Sequence, residues 1–110
     1  MISYSGKTLL INGSPVDLEH PIAEAFEADG KLLVLFDPDA RTEKFGQFPN
    51  LVALSVSGEK LWTAELPTTT SGDRYYKIAS KRPLVVYSIY SEECEIDPDI
   101  GKIVVRRPFR

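Results

Sequence analysis

A single cysteine, Cys94, among 110 residues leaves no partner for a disulfide within the chain and suits a reducing compartment. His20 is likewise the one histidine. Zinc sites built from several His and Cys ligands and Ser-His-Asp triads are therefore severely restricted. His20 stands beside Pro21 where a loop begins, which reads as a surface or capping role. Cys94 lies between Glu93 and Glu95, whose charge opposes a thiolate, so a structural thiol is expected. No apolar run approaches the roughly 20 residues that a membrane-spanning helix needs. Met1 to Thr8 lacks the charged start and long apolar stretch of a secretory signal. A phosphate-cradling glycine loop and a dinucleotide fingerprint are missing as well. The expectation is a cytoplasmic protein with no cofactor, no bound metal and no membrane partner.

Charge of one sign is also in short supply. The 13 Lys/Arg and 16 Asp/Glu leave a net charge of −3. Residues 1–50 hold four basic and eight acidic side chains, and residues 51–110 hold nine and eight. A nucleic-acid binder shows a clear basic excess on one face, so no nucleic-acid partner is expected. The basic run Arg106-Arg107-Pro108-Phe109-Arg110 reads as a solvated tail.

What is present is a β pattern. At 12.3 kDa, with 43% hydrophobic and 26% charged residues, the chain reads as one soluble globular domain over 1–110. Residues Asn50 to Pro67 give two strands and a tight turn. Val52, Leu54 and Val56 alternate with Ala53 and Ser55, Ser57-Gly58 breaks the run, and Leu61, Trp62 and Leu66 resume it until Pro67. Before it, Lys7 to Ile11 and Val16 to Glu19 form a short hairpin about Asn12-Gly13. Residues 22–30 admit two readings. Pro21 and Gly30 suit the ends of a two-turn helix, whereas the alternation of Ile22, Glu24 and Phe26 ahead of Asp29-Gly30 suits a hairpin, which is favoured. Lys31 to Asp37 is apolar on both faces and reads as a central buried strand. A loop over 37–49 carries two aromatics expected to be exposed, Phe45 and Phe48, and 67–73 is a Thr/Ser-rich connection of the kind that seldom packs. Residues 83–90, rich in β-branched and aromatic side chains, form the second confident strand, and 93–97 and 102–106 flank the turn at Pro98 to Gly101. The fold class is all-β, with two four-stranded antiparallel meanders, about 22–66 and 75–106, and an N-terminal hairpin.

Gly58 and Gly101 occupy equivalent turns 43 residues apart, within the period of four-stranded propeller blades. Ala53-Leu-Ser-Val-Ser-Gly58-Glu-Lys-Leu-Trp62 and Glu95-Ile-Asp97-Pro-Asp-Ile-Gly101-Lys102-Ile-Val-Val105 resemble the blade motif Ala-x-Asp-x-x-Thr-Gly-Lys-x-x-Trp of the quinoprotein (PQQ-like) β-propeller family. The first copy keeps the Ala, Gly and Trp with a turn one residue shorter. The second keeps the Asp, Gly and Lys and has Val105 in the Trp position. The resemblance covers about half the chain, some two and a half blades, which are too few to close a ring. It implies blades packed as a sandwich or an incomplete propeller, with Trp62 docking one on the next. It implies no quinone or metal residues.

Two Asp-Pro-Asp segments, Asp37–Asp39 and Asp97–Asp99, cluster oxygens as a calcium loop does, yet lack the downstream acidic ligand and read as turns. The tyrosines are more informative. Tyr75, Tyr76, Tyr87 and Tyr90 gather in the second meander near Arg82, and Tyr and Arg are the side chains that interfaces favour. At least one Tyr must be partly core, because 84–90 is apolar on both faces. The expected reading is a non-enzymatic interaction protein that binds another protein through a sheet edge or an aromatic-basic face, with Tyr75, Tyr76, Arg82, Tyr87 and Tyr90 as that face. A toxin-neutralising immunity protein fits the size. Two alternatives stay open. One is a small-ligand or carbohydrate-binding domain using the loop 38–49 and the tyrosines. The other is a self-assembling blade unit, for which a homo-oligomer is the expected form.

Overall fold

The computed structural model describes residues 1–40 and 48–108. Phe45, Phe109 and Arg110 lie outside the described residues. Eleven strands, and no helix among the described residues, form three antiparallel sheets. The first sheet is a three-strand meander of β1 (Ile2–Ser5), β2 (Thr8–Ile11) and β3 (Ser14–Asp17). The middle sheet takes β4 (Ile22–Ala28), β5 (Lys31–Phe36), β6 (Leu51–Ser55) and β7 (Lys60–Thr63). The third takes β8 (Tyr75–Lys81), β9 (Leu84–Ser88), β10 (Glu92–Ile96) and β11 (Ile103–Pro108). Each sheet therefore follows chain order without a crossover.

Residues 22–28 are strand. Asp29 and Gly30, at φ 51° and 79°, give the left-handed pair that a two-residue hairpin turn demands, and the pairing Ala28 with Lys31 follows from it. One expectation is corrected at the N-terminus: β1 joins the hairpin as a third strand, pairing Tyr4 with Leu9 and Ile2 with Ile11. Its sequence, Ile-Ser-Tyr-Ser, alternates with too little apolar weight to be recognised alone.

The three sheets stack face to face, and the middle one is buried on both sides. Leu32, Val34 and Phe36 of β5, with Val52 and Leu54 of β6, meet Leu9 and Ile11 of the first sheet. Leu33, Leu35, Leu51 and Ala53, the alternate residues on the same strands, meet Ile78, Leu84, Val86, Cys94 and Ile96 of the third. This is the physical meaning of the unbroken apolar run in β5: each side chain removed from water contributes about 1.5–3 kcal/mol, and both faces have a sheet to pack on. Phe48, expected in solvent, is 3% exposed and belongs to the first of these cores. His20 packs edge-on against it and Phe36, with ring centroids 4.8 and 5.4 Å away. It is half-buried rather than purely superficial.

Two buried polar side chains order the structure, Asn50 between layers and Asp73 within one connection. Asn50 is fully buried between the middle and third sheets; its amide nitrogen donates to the carbonyls of Phe36 (3.1 Å) and Tyr75 (2.6 Å), and its oxygen accepts from the Tyr75 N–H at 3.1 Å. Asp73 organises the Thr-rich connection, whose ends, Pro67 and Asp73, are buried while Thr69 to Ser71 stay exposed. Its carboxylate accepts from the Thr68 hydroxyl (2.6 Å), its neighbour Arg74 N–H (2.9 Å) and Tyr90 N–H (3.3 Å). Asp73→Ala leaves those half-buried donors without their acceptor and is expected to lower stability by about 1–2 kcal/mol in urea titrations. A loss below about 0.5 kcal/mol would show that the connection does not depend on this carboxylate.

Candidate functional site

The interior of the third sheet is set by Ile78, Val86 and Cys94, which lie side by side in register. The next row must point the other way. That row is Lys77, Tyr87, Glu93 and Arg107, one residue from each strand. A β-bulge between Tyr75 and Lys77 lets Tyr76 stand outward beside Lys77, and the Tyr76 ring lies 6.3 Å from that of Tyr87. A second outward row runs Val85, Glu95, Val105. Arg107 Nε donates to Glu93 at 2.5 Å. The outer face of the third sheet is thus a tyrosine pair in a field of mixed charge, two cations against two carboxylates, and not the basic surface expected.

Of the five residues expected to share a face, the structure brings Tyr76 and Tyr87 together. Tyr76 is 39% exposed. Tyr75 does not belong to a surface: it is 1% exposed, and its hydroxyl donates to the Glu65 carbonyl at 2.7 Å. Adjacent residues of a strand point to opposite faces, so Tyr75 and Tyr76 could not share one: Tyr75 points inward and Tyr76 outward. Arg82 lies in the β8–β9 turn, bound to Asp29 at 2.6 Å, and Tyr90 lies in the β9–β10 turn at the opposite end of β9, 53% exposed. With Phe48 and Tyr75 interior, the stacking platform imagined for carbohydrate does not form from those rings.

Cys94 is completely buried. Burial raises its thiol pKa, as it does that of Tyr75 beside it; the Glu92 charge is the smallest contribution to the thiol, so desolvation and not the neighbouring carboxylates is the main cause. The signs are the same for both groups. Each keeps its proton in the fold above the pH at which the unfolded chain begins to lose it, so stability is full below about pH 9 and falls above it. Cys94→Ala is expected to blunt the first part of that alkaline loss in pH-dependent urea titrations. The native thiol is expected to resist a thiol reagent that labels the denatured chain completely. Rapid labelling of the native protein would overturn this burial.

Both Asp-Pro-Asp segments are turns. Asp37 Oδ1 accepts from Asp39 N–H at 2.8 Å and Asp97 Oδ1 from Asp99 N–H at 2.9 Å. No group of three or more His, Cys, Asp or Glu is placed to hold a metal among the described residues. Trp62 reaches across from β7, its indole N–H donating to the Pro98 carbonyl at 3.0 Å and its ring lying on Gly101.

The sheet edges carry devices that oppose addition of another strand. Pro15, with no N–H to offer, lies in the edge strand β3, and β1, β3 and β7 are each four residues long. The Tyr4 hydroxyl donates to the Ala23 carbonyl of β4, and Asn50 occupies the Tyr75 N–H and carbonyl of β8. β11 has a bulge opposite the Glu95–Ile96 step, then Arg106, Arg107 and Pro108.

A cleft opens at one end of the molecule, where the β4–β5 tip meets the β8–β9 and β10–β11 turns. It has a volume of about 390 Å³, with Phe26, Leu33, Leu84 and Ile96 in its lining.

A family model described as a domain of unknown function (DUF7957) matches residues 1–107. The chain belongs to the DUF7957 family. The match takes in all three sheets, so the stack as a whole is the DUF7957 domain. Neither a curated protein nor a solved structure matches it. No helix among the described residues of this DUF7957 chain is long and apolar enough to cross a membrane.

Proposed function

We propose that this DUF7957 chain is a non-enzymatic, cytoplasmic interaction domain that binds another protein through the outer face of its third sheet. The observation that carries the reading is Tyr76, exposed beside Tyr87 within the four-strand row of Lys77, Glu93 and Arg107. Tyr supplies a large rigid contact area at little entropic cost, and paired charges of both signs set orientation and partner choice more than affinity. The blocked edges favour the face over strand addition. They weigh against a self-assembling blade unit too. The likeness to quinoprotein blades remains a proposal about the repeat, supported here by the turn at Gly101 and by Trp62 seated against it.

Purification of the tagged chain from its own host tests the reading when Tyr76→Ala and Arg107→Glu are run in parallel. The expected result is a stoichiometric protein recovered with wild type and reduced at least about tenfold with either variant, at unchanged melting temperature. Equal recovery by the variants, or no partner at all, overturns it.

A further inference from the structure

We propose a second, independent site: a cleft between the connection 65–69 and the inner side of β11 binds a free α-amino acid, a small zwitterion with an aliphatic body. The cleft has a volume of about 500 Å³, within the range of small-ligand sites, and is lined by Glu65, Leu66, Thr68, Thr69 and Arg106. It carries one cation and one carboxylate, and the two do not pair with each other.

Arg106 stands directly opposite the core residue Cys94 in the β10–β11 ladder, so its side chain leaves on the inner face of the third sheet while that of Arg107 leaves on the outer one. It makes no ion pair among the described residues. Glu65 is fixed at the other wall: its N–H donates to the Gly101 carbonyl at 2.9 Å, and its Oε1 accepts from the Ile103 N–H at 3.0 Å. Beside the burial that dominates both groups, Arg106 favours the anionic forms of Cys94 and Tyr75, and Glu65 opposes that of Tyr75. Both charges therefore reach the same corner of the core. Their anchors, Ile103 and Arg106, are three residues apart on β11, about 10 Å at roughly 3.3 Å per residue. An α-amino acid holds its carboxylate and ammonium about 3 Å apart, and a charge-assisted hydrogen bond of about 2.8 Å at each end extends its reach to about 9 Å. Its carboxylate meets the Arg106 fork, its ammonium the second oxygen of Glu65, and its side chain Leu66. The Thr68 hydroxyl is already taken by Asp73 and the Thr70 N–H, so the two charges decide the ligand. A plain anion is repelled by Glu65, and a plain cation by Arg106.

The test uses L-leucine, leucinamide and N-acetylleucine, which share a side chain and carry both charges, the cation alone and the anion alone. Melting temperature and calorimetric titration are the readouts. Leucine is expected to raise the melting temperature with concentration, as a ligand of the folded state must. Each analogue is expected to bind at least about tenfold more weakly, the loss of one charge-assisted contact. Arg106→Gln and Glu65→Gln are expected to weaken leucine by a similar factor, and Gln at 65 still offers an acceptor to the Ile103 N–H. Both side chains are exposed, so unliganded melting temperatures near wild type are expected of the variants. Tyr76→Ala, on the outer face, is expected to leave leucine binding unchanged. The proposal fails if leucine does not bind the wild type at millimolar concentration. It also fails if either analogue binds as well as leucine, or if the two Gln variants bind leucine as wild type does.

Discussion

Replacing Asn50 with leucine, a side chain of similar size, is expected to lower the unfolding free energy by about 3–5 kcal/mol, read from urea denaturation. The substitution keeps the volume and removes the polarity. Three backbone groups then lose their partner in a dry place: the carbonyls of Phe36 and Tyr75 and the N–H of Tyr75. The two carbonyls belong to different sheets, so the side chain does not merely satisfy a loop; it fixes the spacing of the middle and third layers. Asn50→Asp is expected to do no better. Its carboxylate can accept from Tyr75 N–H but faces two carbonyl oxygens to which it cannot donate. A cost below about 1 kcal/mol for Asn50→Leu would mean that the layers are held by apolar contact alone.

Gly101→Ala is expected to cost about 2–4 kcal/mol, for two reasons that a double substitution separates. Gly101 has φ 79°, which an L-residue adopts with strain, and an added Cβ would stand 2.5 Å from Trp62 Cε3 and 2.8 Å from Cδ2. The ring cannot retreat freely, since its N–H is held by Pro98 O. In a Trp62→Leu background the collision disappears and the strained φ remains, so the cost of Gly101→Ala should fall to about 1 kcal/mol. The difference between the two costs is the coupling energy of this contact. Equal costs in the two backgrounds would show that Trp62 does not rest on Gly101 in solution.

The sequence made the strands legible where one face alternates or both are apolar. Lys31 to Phe36 read as a central strand, Asn12-Gly13 read as a tight turn, and the alternation before Asp29-Gly30 favoured a hairpin over a short helix, as the structure has them. The candidate site was less legible, because its errors come mostly from features that local pattern does not carry. Tyr75 and Tyr76 were expected on one face, but as neighbours in a strand they point to opposite ones, Tyr75 inward and Tyr76 outward. Phe48 looked like a loop aromatic until the first sheet covered it. Asn50 and Asp73 read as polar residues at strand and loop ends, since their partners lie as far as 25 residues away along the chain. The cleft was missed altogether: its residues come from three turns, and nothing in any one of them signals the others.

The order of the layers in space repeats their order in the chain. Synthesis from the N-terminus therefore completes the first and middle sheets before β8 exists, and leaves Leu33, Leu35, Leu51 and Ala53 as a bare apolar wall until β8 to β10 arrive. During that interval the nascent chain is a two-layer intermediate with one sticky face, the state in which misassembly or chaperone capture would begin. Truncation near Thr70 should reproduce it as an aggregation-prone product, whereas the finished third sheet turns the same wall into the core between the last two layers.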